Sequence, residues 1–168
     1  ENRKVDLAAD GYDLALRATQ EPSPALISRS LCRVQFHLVA APDSVARFGL
    51  PTTPAELASF DAIVPSYVAL EGLALKGSDG RQAPLRLQPV MKSDDTTLTL
   101  HAVRAGIGMS FLPEWLVDGD LAEGRLLRLL PDFAAPPVTL FAVYTSRQYM
   151  APKLRSFIDF VGDRLGSA

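Results

Sequence analysis

Few residues in this chain have side chains that usually carry chemistry. It contains one cysteine, Cys32, and two histidines, His37 and His101. A single cysteine excludes an internal disulfide and any cysteine-based zinc site. Neither histidine is paired by spacing with a serine or cysteine nucleophile, so we interpret both as structural or surface residues. The sequence therefore predicts no bound metal and no cofactor.

The run GIGMSF at residues 106–111 invites a nucleotide-binding interpretation, but its neighbours come in the wrong order. A dinucleotide-binding loop follows a strand and opens a helix, so that the helix N-terminus meets the pyrophosphate. Here a predicted helix precedes the run and a predicted strand follows it. We therefore interpret Gly106 as a helix stop and the run as a close-packed turn. Ser110 also lacks the Gly-x-Ser-x-Gly pattern of a nucleophile elbow.

Two carboxylate pairs, Asp94 with Asp95 and Asp118 with Asp120, suggest acid–base chemistry or a metal site. Paired catalytic carboxylates need a set separation across a cleft, which a sequence does not show. An aspartate at the start of a helix is in most cases a cap. Because no nucleophile, base or phosphate loop is complete, we predict that the chain is not an enzyme.

The segment at residues 93–97 (SDDTT) has a second interpretation beside the helix cap. If Asp94 or Asp95 caps the following helix, the N–H groups of its first turn and the threonine hydroxyls face the space beyond the preceding strand. Such a position suits a carboxylate or another small acceptor group. Both interpretations, a cap alone and a small-molecule site, remain open from the sequence.

Ligands in open α/β sheets bind at the carboxyl ends of strands. Residues 90–93 form one predicted strand end, residues 62–64 form a second, and Arg17 follows a third at residues 14–16. Arg17 would supply the cation that an acidic ligand needs beside two aspartates. We predict a ligand-binding site made of these strand ends: Arg17, Thr19, Ser66, Tyr67, Ser93, Asp94, Asp95 and Thr96.

The overall composition is that of a folded domain. The chain has 168 residues, of which 48% are hydrophobic and 21% charged, with a formal net charge of −2. No basic stripe is available to bind phosphate, so the chain alone is not expected to bind nucleic acid. No apolar run approaches the roughly 18 residues of a membrane span, and no signal-peptide core follows Glu1. We therefore expect no membrane contact and a cytoplasmic location.

The elements that must position these residues alternate between strands and helices, which favours an α/β fold with a mostly parallel sheet. Strand character extends over residues 26–41, and residues 34–41 and 138–145 are apolar on both faces. Two such strands would join two lobes. Helices are predicted before Gly11, from Pro42 to Gly49, after a capping box at residues 53–56, from Asp94 to about Ala105, at residues 113–116, and from Pro152 onward. Residues 77–80 are predicted to turn between strands at 73–76 and 85–88.

Several of these segments, taken in chain order, resemble one protein family. Residues 10–17 (DGYDLALR) resemble the segment EGFDLAIR of LysR-type transcriptional regulators, and residues 93–95 and 105–113 resemble their stretch SND…AGLGIALLP. The other matches are to a crossover strand at 38–42, a helix at 51–57, and a closing strand and helix at 142–165. Each motif is weak alone, but the shared order covers nearly the whole chain.

The resemblance implies the effector-binding domain of such a regulator, with the two-lobed α/β fold of type II periplasmic binding proteins. It places lobe I at residues 1–39 and 140–168 and lobe II at residues 40–139. It also implies a small-molecule effector, a homodimer or homotetramer, and promoter DNA bound only through a winged helix-turn-helix and linker helix that this chain lacks. Because family domains open with a strand, a helix and a strand ahead of the position of Glu1, lobe I is expected to be incomplete at its N-terminus.

One alternative keeps the same fold and changes the function. A periplasmic solute-binding protein shares the two-lobed architecture and would carry a signal sequence upstream. An enzyme on an α/β fold is disfavoured by the motifs above. The segment Leu112 to Leu116 that follows the glycines favours the regulator.

Overall fold

The computed structural model describes residues 7, 9–19, 22–66, 72–145 and 152–165. Its strands are, in chain order, β1 (Ala15–Thr19), β2 (Ile27–Val34), β3 (Phe36–Ala40), β4 (Asp61–Val64), β5 (Ala74–Gly77), β6 (Gln82–Pro84), β7 (Gln88–Lys92), β8 (Ser110–Pro113), β9 (Leu127–Arg128), β10 (Phe133–Ala134) and β11 (Val138–Tyr144). Its helices are α1 (Pro42–Phe48), a 3-10 helix (Pro54–Ser59), α2 (Thr96–Arg104), α3 (Glu114–Ala122) and α4 (Pro152–Leu165). None of these helices is long and apolar enough to cross a membrane.

The chain forms two compact units. The larger unit lies within Gln35–Pro136, and the smaller unit combines Arg3–Val34 with Pro137–Ala168. The chain therefore leaves the smaller unit after Val34 and returns to it at Pro137. The strand predicted over residues 26–41 is accordingly two strands, β2 and β3, which Gln35 separates and which belong to different units.

The smaller unit contains a three-stranded antiparallel sheet in the order β1-β11-β2. The outgoing strand β2 and the returning strand β11 pair directly, with Val34 opposite Val138. An ion pair between Arg29 on β2 and Asp159 on α4 joins the helix to the sheet. The predicted C-terminal helix is confirmed as α4, and the core between it and the sheet consists of Leu31, Ala142, Tyr144 and Ile158.

In the larger unit, β3 lies between β8 and β9 with antiparallel pairing, whereas β4 and β7 form a parallel pair. An isolated bridge between Ala62 and Met109 links β4 to the segment that enters β8. The Ile63 N–H donates to the Met109 carbonyl at 2.8 Å, and the Met109 N–H donates to the Asp61 carbonyl at 2.9 Å. The predicted turn at residues 77–80 is confirmed as a hairpin between β5 and β6.

The end of α2 and the approach of β4 to β8 explain the two glycines of the run at residues 106–111. Gly106 has φ +73°, the left-handed conformation that ends a helix, and it follows the last turn of α2. A Cβ on Gly108 would lie 2.5 Å from the Asp61 carbonyl oxygen, so only glycine fits between the two backbones. The interpretation of the run as a helix stop and a close-packed turn is confirmed.

The core of the larger unit lies on both sides of β3, as its doubly apolar pattern predicts. Leu38 belongs to one buried cluster, together with Met109. The next residue, Val39, belongs to a second cluster that includes Val103 of α2 and Val117 of α3. Because side chains alternate along a strand, β3 connects the two clusters and fixes α2 and α3 on one of its faces.

The prediction of a mostly parallel sheet is wrong. Among the described strands, the only parallel ladder is β4–β7, and every other ladder is antiparallel. A chain that leaves a unit and later returns brings its outgoing and returning strands together in opposite directions, as β2 and β11 show. The alternation of strands and helices along the sequence does not show that the chain returns to the first unit.

Several local predictions also need correction. The helix after Thr53 is a 3-10 helix, and the Thr53 side chain does not cap it. Instead Glu56 accepts hydrogen bonds from the Thr52 N–H at 2.9 Å and from the Thr53 hydroxyl at 2.9 Å, which hold the pKa of Glu56 below its ordinary value. Strand β6 lies before the predicted residues 85–88, and α3 is longer than the predicted 113–116. The helix predicted before Gly11 lies largely outside the described residues.

Candidate functional site

Two of the strand ends predicted to bind a ligand adjoin in the larger unit. Val64 at the end of β4 pairs with Lys92 at the end of β7, and the Ser93 N–H donates to the Val64 carbonyl at 3.1 Å. Because the two strands are parallel, their carboxyl ends lie at one edge of the pair. Ser66, which is exposed, follows β4, and the segment 93–96 follows β7. Tyr67 lies outside the described residues.

The segment after β7 is organised as a helix cap. Asp95 is the N-cap residue of α2, and its Oδ1 accepts the Leu98 N–H at 2.8 Å. The Asp95 N–H donates to the Ser93 hydroxyl at 3.1 Å, and the Thr99 hydroxyl donates to the Asp95 carbonyl at 2.9 Å. The predicted cap is therefore confirmed, and Asp95 rather than Asp94 provides it. The side chains of Ser93 and Asp95 are engaged in holding the start of α2.

The other residues of the segment 93–96 are available to contact a ligand. Thr96, the first residue of α2, is half-buried, and Asp94 is exposed. Asp95 accepts the Leu98 N–H, and the N–H groups of Thr96 and Thr97 have no partner within the helix and carry a partial positive charge. The edge therefore offers hydrogen-bond donors at a helix start, a threonine hydroxyl and the Ser66 hydroxyl. Such groups suit a carbonyl or carboxylate oxygen of a small organic molecule.

Arg17 and Thr19 lie in the smaller unit, on β1. Arg17 lies in the middle of β1, opposite Phe141 of β11, so the prediction that it follows the carboxyl end of a strand is wrong. Thr19 is the last residue of β1. The strand is longer than the apolar residues 14–16 that predicted it, since pairing with β11 extends it. Both side chains are half-buried and share the sheet face of Phe141, whereas α4 packs against the face of Ala142 and Tyr144.

The carboxylates of Asp118 and Asp120 do not form a pair. Asp118 is exposed on α3, whereas Asp120 is 1% exposed. Asp120 Oδ2 accepts from Arg104 Nε at 2.8 Å and from Arg104 Nη2 at 2.6 Å, and its Oδ1 accepts from Arg125 Nε at 2.5 Å. Burial raises the pKa of Asp120, but the hydrogen bonds and the positive charges of the two arginines together outweigh it and hold the pKa below its ordinary value. Asp120 thus joins the end of α2 to α3 and to the segment entering β9.

Ser110 and the two histidines also have defined surroundings. Ser110 is 3% exposed and donates its hydroxyl to the Ile63 carbonyl at 2.8 Å, so it holds β8 to β4. His101 is exposed on α2. His37 on β3 lies beside Glu114 and Asp118 of α3, a grouping that no motif in the sequence indicated. The only sequence signal for it is the four-residue spacing of the two carboxylates on one helix face.

Sequence comparisons relate this chain to one family of known proteins. A sequence profile described as the LysR substrate binding domain matches residues 1–166. The chain is 29% identical over 165 residues to the HTH-type transcriptional regulator CrgA of Neisseria meningitidis and 31% identical over 163 residues to the HTH-type transcriptional regulator PtxR of Pseudomonas aeruginosa. These alignments cover 97% and 96% of this chain but 54% and 52% of the two relatives. The chain thus spans about half the length of the curated relatives it matches.

Solved structures show the same relationship. The regulatory domain of CrgA from Neisseria meningitidis has a TM-score of 0.78 at 28% identity, covering 95% of this chain and 78% of that one. Full-length AphB, a virulence activator of Vibrio cholerae, also has a TM-score of 0.78, covering 98% of this chain and 56% of that one. At 24% identity, the likeness to AphB shows the fold alone.

The fold is that of a transcription-factor regulatory domain, in the two-lobed α/β class of periplasmic binding proteins. The chain belongs to the LysR substrate binding domain family. The predicted fold class and family are therefore confirmed. The relatives are HTH-type transcriptional regulators, which supports the regulator and not the solute-binding alternative.

Proposed function

We propose that this chain senses a small polar or weakly acidic organic molecule on behalf of a DNA-binding transcriptional regulator. The observation that carries the proposal is the edge of the larger unit where β4 and β7 end in parallel and α2 begins at Thr96. The hydroxyl-bearing residues Ser66 and Thr96 follow these two strand ends, and Thr96 opens α2. We expect the domain to act by binding, because its relatives are transcriptional regulators and the Ser110 hydroxyl and Asp120 carboxylate are engaged in hydrogen bonds within the fold.

The residues at this edge have two kinds of role in the proposal. Ser93 and Asp95 hold the start of α2 through their mutual hydrogen bonds and the bond to Leu98. Thr96 and Ser66 contact the ligand directly, with Asp94 at the margin. Arg17, Thr19 and Tyr67 remain predicted ligand contacts, and Arg17 would recognise a carboxylate.

The remainder of the proposal concerns the whole protein. We propose that it binds promoter DNA through a helix-turn-helix domain, as the names of its relatives suggest, and that it is a homodimer or homotetramer, as the family resemblance implies. Effector binding by this chain is expected to change DNA binding by the helix-turn-helix domain. A regulator of this kind acts on the chromosome, so we place it in the cytoplasm.

The test begins with a thermal-shift screen of small organic acids and polar metabolites on the 168-residue chain. A hit is then titrated by calorimetry against wild type and Thr96→Val, which keeps the side-chain shape and removes the hydroxyl. We expect Thr96→Val to weaken binding by about 0.5–1.5 kcal/mol. Thr97→Val is the matched control, because the next residue of a helix points about 100° away.

Unchanged binding by Thr96→Val would place the ligand elsewhere and leave the segment 93–96 as a helix cap only. Equal weakening by both threonine variants would point instead to a general change in the start of α2. Loss confined to Thr96→Val supports the proposed site.

A further inference from the structure

Three metal-ligating side chains meet where β3 passes the start of α3. One ligand atom from each of His37, Glu114 and Asp118 lies within 4.8 Å of the other two. His37 Nε2 is 3.3 Å from Glu114 Oε1. Ligand atoms that are about 2.0–2.2 Å from a tetrahedral zinc ion are about 3.3–3.6 Å from one another, so this pair has the spacing of two ligands of one ion.

The backbone holds these donors in a defined arrangement. His37 pairs with Leu112 across the β3–β8 ladder, and the Glu114 N–H donates to the Gln35 carbonyl at 3.0 Å. Glu114 and Asp118 are four residues apart in α3 and therefore share a helix face. The His37 side chain is 11% exposed, whereas that of Glu114 is 50% exposed. One ligand is thus held firmly, and the carboxylates are able to rotate onto an ion.

The donor set selects the class of ion. One imidazole nitrogen with two carboxylate oxygens suits a first-row divalent metal, whereas calcium and magnesium take oxygen ligands almost exclusively. The two carboxylates balance the charge of a divalent ion. Three protein ligands also leave a coordination position for water or another group.

We propose that His37, Glu114 and Asp118 bind Zn²⁺ or a chemically similar first-row divalent ion. The bound ion ties the first turns of α3 to β3, next to the apolar cluster that contains Val117. Metal binding to the folded chain then adds to its stability by mass action. The site is separate from the effector site proposed above and does not depend on it.

Cobalt(II) chloride is the probe, because its visible absorption reports coordination by protein ligands. The 168-residue chain, produced without a histidine tag, is titrated with Co²⁺ and then with Zn²⁺. The single tryptophan, Trp115, is next to Glu114 in sequence and serves as a fluorescent reporter. We expect saturable absorption at one equivalent of Co²⁺, parallel quenching of Trp115, and loss of the absorption when Zn²⁺ is added.

Two variants and two controls locate the site. His37→Gln and Asp118→Asn are each expected to lower Co²⁺ affinity by at least about 10-fold, since even outer-shell partners of a metal ligand contribute this much. His101→Gln and Asp132→Asn remove the same groups from exposed positions elsewhere and should bind as wild type. Because His37 is nearly buried, the exposed Asp118 provides the test that does not depend on repacking.

Absence of saturable Co²⁺ absorption would overturn the proposal and leave a close contact between His37 and Glu114. Affinity unchanged in His37→Gln and Asp118→Asn would also overturn it, as would a loss caused by His101→Gln alone. Loss confined to the two site variants supports the metal site.

Discussion

Gly108 and Asp61 are so close that no side chain fits between them. A Cβ on Gly108 would lie 2.5 Å from the Asp61 carbonyl oxygen. The same oxygen accepts the Met109 N–H at 2.9 Å, so relief of the clash would break the connection between β4 and β8. Gly108 is therefore required by the approach of two distant backbone segments, whereas Gly106 is required by its own backbone angle.

The first prediction follows from this contact. Gly108→Ala should lower the free energy of unfolding by about 1–3 kcal/mol, because the backbone must shift to admit the methyl group. Gly119→Ala is the control, since Gly119 lies in α3 and a methyl group there would meet nothing within 4 Å. Alanine there should stabilise the chain by up to about 1 kcal/mol. Urea unfolding measures both; equal midpoints for the two variants would contradict the steric argument.

The second prediction concerns the buried carboxylate of Asp120. Asp120→Asn should destabilise the chain by about 1–3 kcal/mol, because the charged hydrogen bonds from Arg104 and Arg125 are lost. We expect less than the full cost of breaking a buried pair, since the side chains of both arginines are more than a third exposed, at 38% and 48%. Asp132→Asn, at an exposed position outside both proposed sites, is the control. Chemical denaturation of both variants without added metal distinguishes them.

The third prediction is the effect of acid on the same group. The pKa of Asp120 is held below its ordinary value of 3.8, so its contribution to stability is complete above that value. The contribution is lost as the pH falls through the folded-state pKa, because the unfolded chain takes up the proton first. Urea midpoints measured from about pH 6 to about pH 3 should fall less steeply for Asp120→Asn than for wild type. Parallel curves would show that other groups control acid unfolding.

The fourth prediction tests whether Arg17 on β1 contributes to effector binding. For an effector that carries a carboxylate, Arg17→Ala should weaken binding by about 1.5–3 kcal/mol, more than Thr96→Val does. Arg155→Ala is the control, because it removes the same charge from an exposed position on α4, which packs on the other face of the sheet. Calorimetric titration with one effector compares the three variants. Normal binding by Arg17→Ala would remove β1 from the site.

The fifth prediction separates this chain from the whole regulator. With a formal charge of −2, the 168-residue chain should give no specific complex with promoter DNA in a gel shift. The full-length regulator should give one with the same DNA. A tight, salt-sensitive complex of the chain alone would show that the domain itself contains a DNA-binding surface.

Local features of the fold are predictable because short stretches of sequence determine them. The ends of α1 and α2 follow from Gly49, Asp95 and Gly106, whose cap bonds and backbone angles depend only on neighbouring residues. The two-faced burial of β3 follows from its apolar pattern. The order of motifs also identified the family, because order along the chain is a property of the sequence itself.

Strand direction and side-chain groupings depended on the tertiary structure. An apolar strand pattern is the same for parallel and antiparallel pairing, so β11 gave no sign that it would run against β2. Asp118 and Asp120 look alike in sequence, but the helix directs one to solvent and the other to Arg104 and Arg125. His37 is 77 residues from Glu114 in sequence, and no local pattern relates them. Antiparallel pairing of β3 with β8 brings them together, because it places Leu112 opposite His37 just before α3 begins at Glu114.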